Sequence, residues 1–186
     1  MKISNVDISG LKESVRAAKM PKSTDIDTLT DELTDGIQAL AKTDIGSGHD
    51  NWLNGVIVQF DLTASEKFWP QLQRYHFVDF VSSQSTMHRI TQFNVEEQCN
   101  KYVTKKAIEN IKEQIEYYNF NPTDENYLAV LYNVPSGFEL TARMTTNYRQ
   151  LKTIYAQRKN HRLPEWRTFC EWIETLPYSE LIIGGR

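Results

Sequence analysis

The sequence predicts an α+β fold in a single domain that spans residues 1–186. The segment 56–62 (VIVQFDL) is rich in β-branched and aromatic residues, which is typical of a strand. Several other segments repeat apolar residues at steps of three and four, the spacing of amphipathic helices. No internal repeat, low-complexity tract or long Gly/Ser linker divides the chain. We therefore expect a mixed sheet packed by long helices.

Before residue 56 the sequence predicts one strand and two helices. These elements are a strand at 1–9 and helices at 11–20 and 23–41. Gly10 ends the strand, and the first helix stops before Pro21 because the residue preceding a proline avoids the helical region. The second helix has its apolar residues on one face, and Asp25 or Asp27 is expected to cap its N-terminus.

After the 56–62 strand the pattern is mainly helical. The predicted elements are a helix capped by Ser65, a short strand or helix at 77–81, and helices at 103–118, 127–132, 141–160 and 164–174. Ser65 is a suitable cap because its hydroxyl can accept a hydrogen bond from a free backbone N–H. The glycines of Gly46–Gly48 predict a loop, and a turn-rich stretch around Pro122 separates two of the helices.

Composition limits the class of protein. Hydrophobic residues make up 40% of the chain and charged residues 24%, as in soluble globular proteins. No apolar run approaches the ~20 residues of a membrane span. The first ten residues lack the basic and apolar regions of a secretory signal, so we expect a cytoplasmic protein. Cys99 and Cys170 are far apart and lack ligand spacing, which argues against a disulfide framework or a metal site.

The net charge of −3 conceals an uneven distribution. Carboxylates outnumber cations up to Glu66, whereas cations dominate between Arg143 and Arg167. The basic segment could attract a phosphate-bearing ligand, or it could complement acidic surface on this chain or on a partner subunit. The overall acidity argues against sequence-specific DNA binding, which usually requires a strongly basic domain.

One basic residue lies in an unusual position. A helix starting near Asn147 brings Leu151, Ile154 and Arg158 to the same face, because steps of three and four residues complete a turn. Arg158 therefore belongs to an apolar stripe. Its guanidinium must reach water along its own stem, pair with a carboxylate, or meet an anionic ligand.

Several blocks in this order resemble a known enzyme family. They are His49 ahead of the 56–62 strand, FWPQLQRYHF, SSQSTMHR, LYNVPSGFELTARMTTNYRQLKTIYAQR and PEWR. This order resembles the flavin-dependent thymidylate synthases and, more closely, a set of phage and prophage proteins of Firmicutes. The resemblance implies formation of dTMP from dUMP, with methylene-tetrahydrofolate as carbon donor and FAD reduced by NADPH as hydride source. It also implies a homotetramer whose active sites form between subunits.

The resemblance carries over residue by residue in the C-terminal block. Asn147 and Arg149 match the family's N-x-R, and Arg158 matches an arginine that contacts the nucleotide. His161 matches a flavin-side histidine if the preceding loop is one residue shorter here. Glu165 and Arg167 then fall on the E-x-R that closes the motif.

The family's N-terminal signature R-H-R-x-x-S is altered in this chain. The same place reads Arg74-Tyr75-His76-Phe77-Val78-Asp79. A histidine therefore replaces the second arginine and an acid replaces the serine. The negative charge of Asp79 would repel a phosphate that a serine hydroxyl would bind. The later S-x-R-Y element is displaced into the segment 85–89.

The candidate site residues form two sets. The candidate nucleotide-binding residues are Arg158, Asn147, Arg149, Arg74, Ser85, His88 and Arg89, and the candidate cofactor-binding residues are His49, His76 and His161. Each has a structural alternative: a capped polar loop for the 85–89 segment, and a structural role for the histidines. The aromatic residues Trp69, Tyr75, Phe77 and Phe80 either flank a flavin ring or fill the core. No zinc, Walker, GxSxG or GxGxxG motif is present.

Two classes of function follow from these observations. The first is a divergent synthase-like protein that binds a pyrimidine nucleotide such as dUMP and whose FAD binding is weak or lost. The second is a non-catalytic, phage-encoded protein that acts on a host nucleotide or a host defence protein in the host cytoplasm. Both are expected to be homo-oligomers, with a tetramer as the predicted state.

Overall fold

The structure, a computed structural model, describes residues 1–184, so the last two residues of the predicted 1–186 domain lie outside it. The strands are β1 Lys2–Ser9, β2 Ile57–Ser65, β3 Asp79–Ser83 and β4 Glu139–Asn147. They form one sheet in the order β1-β2-β4-β3. All three strand pairings are antiparallel. The α+β class is confirmed, but the expected mixed sheet is wrong, since no parallel pair occurs in the described residues.

Helices account for most of the remaining regular structure. They are α1 Leu11–Lys19, α2 Asp35–Ala41, α3 Trp69–Leu72, α4 Thr86–Arg89, α5 Val95–Gln98, α6 Lys105–Phe120, α7 Asp124–Tyr132, α8 Tyr148–Arg158, α9 Pro164–Glu174 and α10 Glu180–Ile183. Short 3-10 turns occupy Met20–Lys22, Ile26–Thr28, Asn51–Gly55 and Ile90–Gln92. Across residues 1–184, no helix has the length and apolar character needed to cross a membrane.

Several predicted elements are confirmed. The strand at 1–9, the helix at 11–20, the 56–62 strand and the helices at 103–118, 127–132 and 164–174 correspond to β1, α1, β2, α6, α7 and α9. Side-chain caps set two of the helix starts, because Thr104 accepts from the backbone N–H of Ala107 and Thr123 from that of Asn126. Of the ambiguous 77–81 segment, residues 79–81 belong to strand β3, and residues 77–78 precede it.

The long helix predicted at 23–41 is wrong in its first half. Only Asp35–Ala41 is an α-helix there. Upstream, the Asp25 carboxylate caps a single 3-10 turn by accepting from the N–H of Asp27, and the Thr28 hydroxyl donates to the Asp25 carbonyl. Such short side chains compete with helical hydrogen bonds for the local backbone, which explains the irregular segment.

The helix predicted at 141–160 is also wrong in its first part, which forms strand β4. All nine β4 residues pair with β2, and four also pair with β3. Its buried residues alternate, with Leu140, Ala142 and Met144 facing the core. Pairing on both sides thus overrides the helix preference of residues such as leucine, alanine and methionine. Asn147 accordingly ends β4 and caps α8 instead of lying inside a helix.

Ser65 does not cap a helix, contrary to expectation. It ends β2, and its hydroxyl donates to the carboxylate of Glu165 on α9 at 2.7 Å. The helix that follows is only Trp69–Leu72. Ser65 therefore attaches the end of the sheet to the start of α9.

The hydrophobic core has two parts. The larger part lies between one face of the sheet and helices α8 and α9, where Phe60 of β2 contacts Phe169 and Trp172 of α9. The smaller part packs α6 and α7 against the start of β4 and contains Ile111 and Val130. Packing against the larger part holds α8 and α9 side by side, which fixes the candidate residues that these helices carry.

Candidate functional site

Helix α8 carries the candidate residues of the C-terminal block at its two ends. Its middle is anchored by Leu151 and Ile154, which are both fully buried, as the apolar stripe predicted. Arg149 lies in the first turn and Arg158 at the last residue. At a rise of about 1.5 Å per residue these two arginines are separated by roughly 14 Å along the helix. The two ends are therefore separate sites.

Arg158 is held by aromatic side chains. Its Nε donates to the Tyr75 hydroxyl at 2.6 Å, and its guanidinium carbon lies 5.4 Å from the centroid of that ring. The same guanidinium lies 4.8 Å from the ring centroid of Trp166 on α9. Cation–π contacts of this kind orient a guanidinium without neutralising its charge.

Further hydrogen bonds fix both rings. The Tyr75 hydroxyl donates to Oε1 of Gln157 at 2.9 Å. The indole N–H of Trp166 donates to Oε1 of Gln71, also at 2.9 Å. Because both rings are anchored in this way, and their centroids lie 5.7 Å apart, the guanidinium that contacts both has a defined position.

No ion pair neutralises Arg158 among residues 1–184. The carboxylate pairing that the sequence allowed is thus absent from the described part of the chain. Arg74 and His76, on either side of Tyr75, are both exposed. The surroundings of Arg158 are therefore basic and aromatic, which suits an anionic group carrying a flat ring.

His161 lies close to this cluster. Its ring centroid is 6.3 Å from that of Trp166, and its Nδ1 accepts from the backbone N–H of Leu163 at 3.0 Å. In the neutral ring the proton therefore lies on Nε2, which makes that atom a hydrogen-bond donor. Burial and then the nearby positive charge of Arg158 lower the pKa of His161 below its ordinary value.

At the other end of α8 the charges are neutralised. Asn147 caps the helix, its Oδ1 accepting from the N–H of Gln150 at 2.8 Å. The carboxylate of Asp50 accepts from Arg149 Nε at 3.0 Å and from Lys152 Nζ at 2.8 Å. Asp50 and Lys152 are each only 1% exposed. This network anchors the start of α8 to the loop that precedes β2.

The ionisation of Asp50 follows from these contacts. Burial alone would raise the pKa of its carboxyl group, but hydrogen bonds from Lys152 and Arg149 outweigh it and lower the pKa below its ordinary value. Lys152 also donates to the backbone carbonyl of Ala41 at 2.8 Å. The buried cation thus has several acceptors and belongs to the structural framework.

A small cavity of about 220 Å³ lies beside this network. Asp50, Asn147, Arg149 and Phe77 are among the residues that line it. Phe77 is 65% exposed and has a φ of 60°, a conformation that is uncommon for a bulky residue. Segment 74–77 therefore reaches both ends of α8. Tyr75 contacts Arg158 at the end of the helix, and Phe77 lines the cavity at its start.

His49 and the 85–89 segment lie apart from the Arg158 cluster. His49 is exposed and directly precedes Asp50. Ser85 occupies the N-cap position of α4 without a side-chain cap bond, His88 is exposed, and Arg89 Nη1 donates to Gln92 Oε1 at 2.8 Å. The neighbouring residue Gln84 pairs with Thr141, six residues before Asn147 on β4, which corresponds to about 20 Å along a strand.

The four aromatic candidates divide between core and surface. Trp69 is 7% exposed and belongs to the main core, as the core alternative predicted. Tyr75 packs against the edge of that core and holds Arg158. Phe77 and Phe80 are instead exposed, so the core interpretation is wrong for them.

Two features of the site were missed at the level of sequence. The sequence did not identify Tyr75 as the partner of Arg158, because the residues are 83 positions apart. The buried Asp50–Lys152 pair was also missed. Its signal was present, since Lys152 follows Tyr148 by four residues and so lies on the buried face of α8.

Comparison with known proteins identifies the fold. Flavin-dependent thymidylate synthase ThyX from Helicobacter pylori, complexed with FAD and dUMP, matches with a TM-score of 0.73 at 14% identity over 98% of each chain. A second structure of ThyX from H. pylori with FAD and dUMP gives 0.74 at the same identity and coverage. The UMP/dUMP methylase PolB from Streptomyces cacaoi, bound with 5-Br dUMP, gives 0.65 at 17% identity, covering 94% of this chain and 89% of its own.

The chain therefore has the fold of the flavin-dependent thymidylate synthases, and the fold expected from the sequence is confirmed. No protein-family model matches the sequence, and no curated protein matches it. Within residues 1–184 no group of three His, Cys, Asp or Glu side chains is arranged to hold a metal ion.

Proposed function

We propose that this protein binds a pyrimidine nucleotide such as dUMP, with Arg158 contacting its phosphate. The observation that supports this most strongly is the guanidinium held against both Tyr75 and Trp166 without a carboxylate partner in the described residues. A positive charge positioned in advance by rigid aromatic rings loses little entropy when an anion binds. The structural neighbours bound to dUMP or 5-Br dUMP support a nucleotide as that anion.

The other candidate residues have graded roles in this proposal. Arg74 is exposed beside Tyr75 and can add a positive charge near the bound nucleotide. His76, also exposed beside Tyr75, and His161, beside Trp166, remain the candidates for contact with a cofactor. Asn147 and Arg149 act indirectly by holding the start of α8.

A flavin would fit poorly beside Arg149. FAD carries a pyrophosphate, and the Arg149 guanidinium already pairs with the buried Asp50. The exposed Asp79 adds a negative charge close to Phe77, which lines the same small cavity. This negative charge repels an anion, and solvent reduces the repulsion because the side chain is exposed. We infer that FAD binding is weak or lost and that little thymidylate synthesis remains.

The second candidate function is a non-catalytic, phage-encoded binding protein that acts on a host nucleotide or a host defence protein in the host cytoplasm. The same poor fit for a flavin favours it, since nucleotide binding at Arg158 does not require the cofactor. A yellow purified protein, which means that oxidised flavin is retained, would argue against this second function.

We further propose a homo-oligomer, with a tetramer as the expected state. Ser85, His88 and Arg89 lie near the opposite end of β4 from Asn147, so in one chain they are far from the start of α8. A second copy could bring its own 85–89 segment to the site of the first. The exposed apolar side chains of Phe80 and Val81 on edge strand β3 also suit burial between copies. Light scattering that gives a mass near 21.7 kDa would contradict the oligomer.

The nucleotide proposal is tested by calorimetric titration of dUMP into matched variants. Arg158→Ala removes the proposed phosphate contact and should weaken binding by roughly 10- to 100-fold, the effect of about 1.5–3 kcal/mol for a charged hydrogen bond. Arg162→Ala is the control, because Arg162 is an exposed arginine of the same segment. Equal loss in both variants would mean that only net charge matters, and no binding by the wild type would refute the proposal.

A further inference from the structure

A larger cavity lies where strand β2 ends and helix α9 begins. It has a volume of about 730 Å³, within the range of small-molecule sites, and none of the candidate nucleotide residues lines it. Its walls come from the end of β2, the turn at 100–103, the loop at 136–139 and the first turn of α9. Leu163, Pro164 and Thr168 face this cavity, whereas Trp166 of the same helix packs against Arg158.

Backbone hydrogen bonds fix the loop walls of the cavity. The N–H of Lys67 donates to the carbonyl of Ser136 at 2.9 Å, and the N–H of Asn100 donates to the carbonyl of Gly137 at 2.9 Å. The loop at 136–139 is therefore tied to both the turn that follows β2 and the 100–103 turn. Gly137 permits this approach, since a Cβ there would lie 2.4 Å from the Val103 side chain. The cavity is thus a preformed feature of the fold.

The two carboxylates of the cavity wall are already satisfied. Glu165 accepts from both the backbone N–H and the hydroxyl of Ser65, at 2.9 and 2.7 Å. Glu139 pairs with the amino group of Met1 at 2.8 Å. Glu139 is thereby neutralised, whereas Glu165 keeps its negative charge with both oxygens directed to Ser65.

The two lysines of the cavity wall have no carboxylate partner within residues 1–184. Lys67 and Lys101 are both exposed at the rim. Lys101 lies over the ring of Tyr102 with its Nζ 5.3 Å from the centroid, and that ring is itself 68% exposed. The rim thus combines two positive charges with an aromatic surface.

We propose that this cavity is a second ligand-binding site that accepts a small amphipathic anion. The apolar or aromatic body of the ligand packs between Leu163, Pro164 and Tyr102. Its carboxylate or phosphate binds Lys67 and Lys101. This arrangement matches the general form of ligand sites, in which a mostly apolar cleft carries a few polar groups that orient the ligand.

The site is tested on the full chain with the aromatic anion 8-anilinonaphthalene-1-sulfonate, whose fluorescence rises on binding. The wild type should show one saturable component. Lys67→Met combined with Lys101→Met should weaken it about tenfold or more, a change of at least ~1.4 kcal/mol, because both positive charges at the rim are lost. The matched control is Lys105→Met combined with Lys106→Met, which removes the same charge from exposed positions on α6.

Two further measurements distinguish binding in this cavity from binding elsewhere on the surface. Thr168→Trp should fill the cavity from an exposed helix position and abolish the component without loss of fold. The uncharged probe N-phenyl-1-naphthylamine should bind the wild type and the double lysine variant equally. The absence of a saturable component, an equal loss in the α6 control, or full binding by Thr168→Trp would each overturn the proposal. Arg158→Ala should leave the probe affinity unchanged, so the outcome is independent of the nucleotide site.

Discussion

The two ends of helix α8 carry the same kind of residue in different environments. At its start, Arg149 and the buried Lys152 share the carboxylate of Asp50. At its end, Arg158 contacts the rings of Tyr75 and Trp166 and has no carboxylate partner in residues 1–184. A neutralised arginine holds the fold together, whereas an oriented and uncompensated one is available for an anion. The partner, and not the arginine itself, determines the role.

The largest effect is expected at the neutralised end. Asp50→Asn leaves the buried Lys152 without its counter-charge, which should lower the free energy of unfolding by about 3–5 kcal/mol, as for other broken buried pairs. Urea unfolding measures this loss. Asp61→Asn is the control, because Asp61 pairs with Arg143 on the more accessible face of the sheet and should lose far less. Equal losses would mean that burial of Asp50 has no special importance.

The next largest effect is expected on FAD binding, through the two altered positions His76 and Asp79. His76→Arg combined with Asp79→Ser changes the local charge in favour of a pyrophosphate. FAD affinity should therefore rise at least about tenfold, equivalent to ~1.4 kcal/mol. Absorbance of bound flavin after dialysis measures this. A yellow wild-type protein that supports growth of a thymidine auxotroph would contradict the inference that FAD binding is weak.

A smaller effect is expected at the Arg158 end. Tyr75→Phe keeps the ring but removes the hydroxyl that accepts from Arg158 Nε. Loss of one hydrogen bond of about 1 kcal/mol should weaken dUMP binding roughly fivefold. Tyr155→Phe is the matched control, because its hydroxyl bonds Glu174 elsewhere on the same pair of helices. If both variants bind equally well, Tyr75 does not position Arg158.

The sequence predicted the α8 stripe correctly because helical periodicity is a local property. Leu151 and Ile154 are buried as the spacing of three and four requires. It failed at β4, where pairing with two distant strands decides the structure of residues that also favour helices. Secondary structure of that kind depends on partners that the local pattern does not contain.

The sequence did not predict the environments of the two arginines either, because their partners are also distant in the chain. Spacing placed Arg158 on an apolar face but left open whether it meets water, a carboxylate or a ligand. Its partner Tyr75 comes from a segment 83 residues away, and the partner of Arg149 comes from 99 residues away. Arg149 also matched the family pattern, yet only the fold shows that its guanidinium is already paired with Asp50.

Arg158 and Arg149 are predicted to have separate roles, which thermal unfolding with and without nucleotide distinguishes. Melting temperatures of the wild type, Arg158→Ala and Arg149→Ala are recorded with and without saturating dUMP. At 100 times its Kd a ligand adds about 2.7 kcal/mol, or roughly 5–10 °C for a chain of this size. We predict that Arg149→Ala melts lower but keeps the shift, whereas Arg158→Ala, whose dUMP binding is weakened 10- to 100-fold, keeps only about 0.4–1.4 kcal/mol of that stabilisation at the same dUMP concentration. A rise in the melting temperature of Arg158→Ala as large as that of the wild type would mean that Arg158 does not bind the nucleotide.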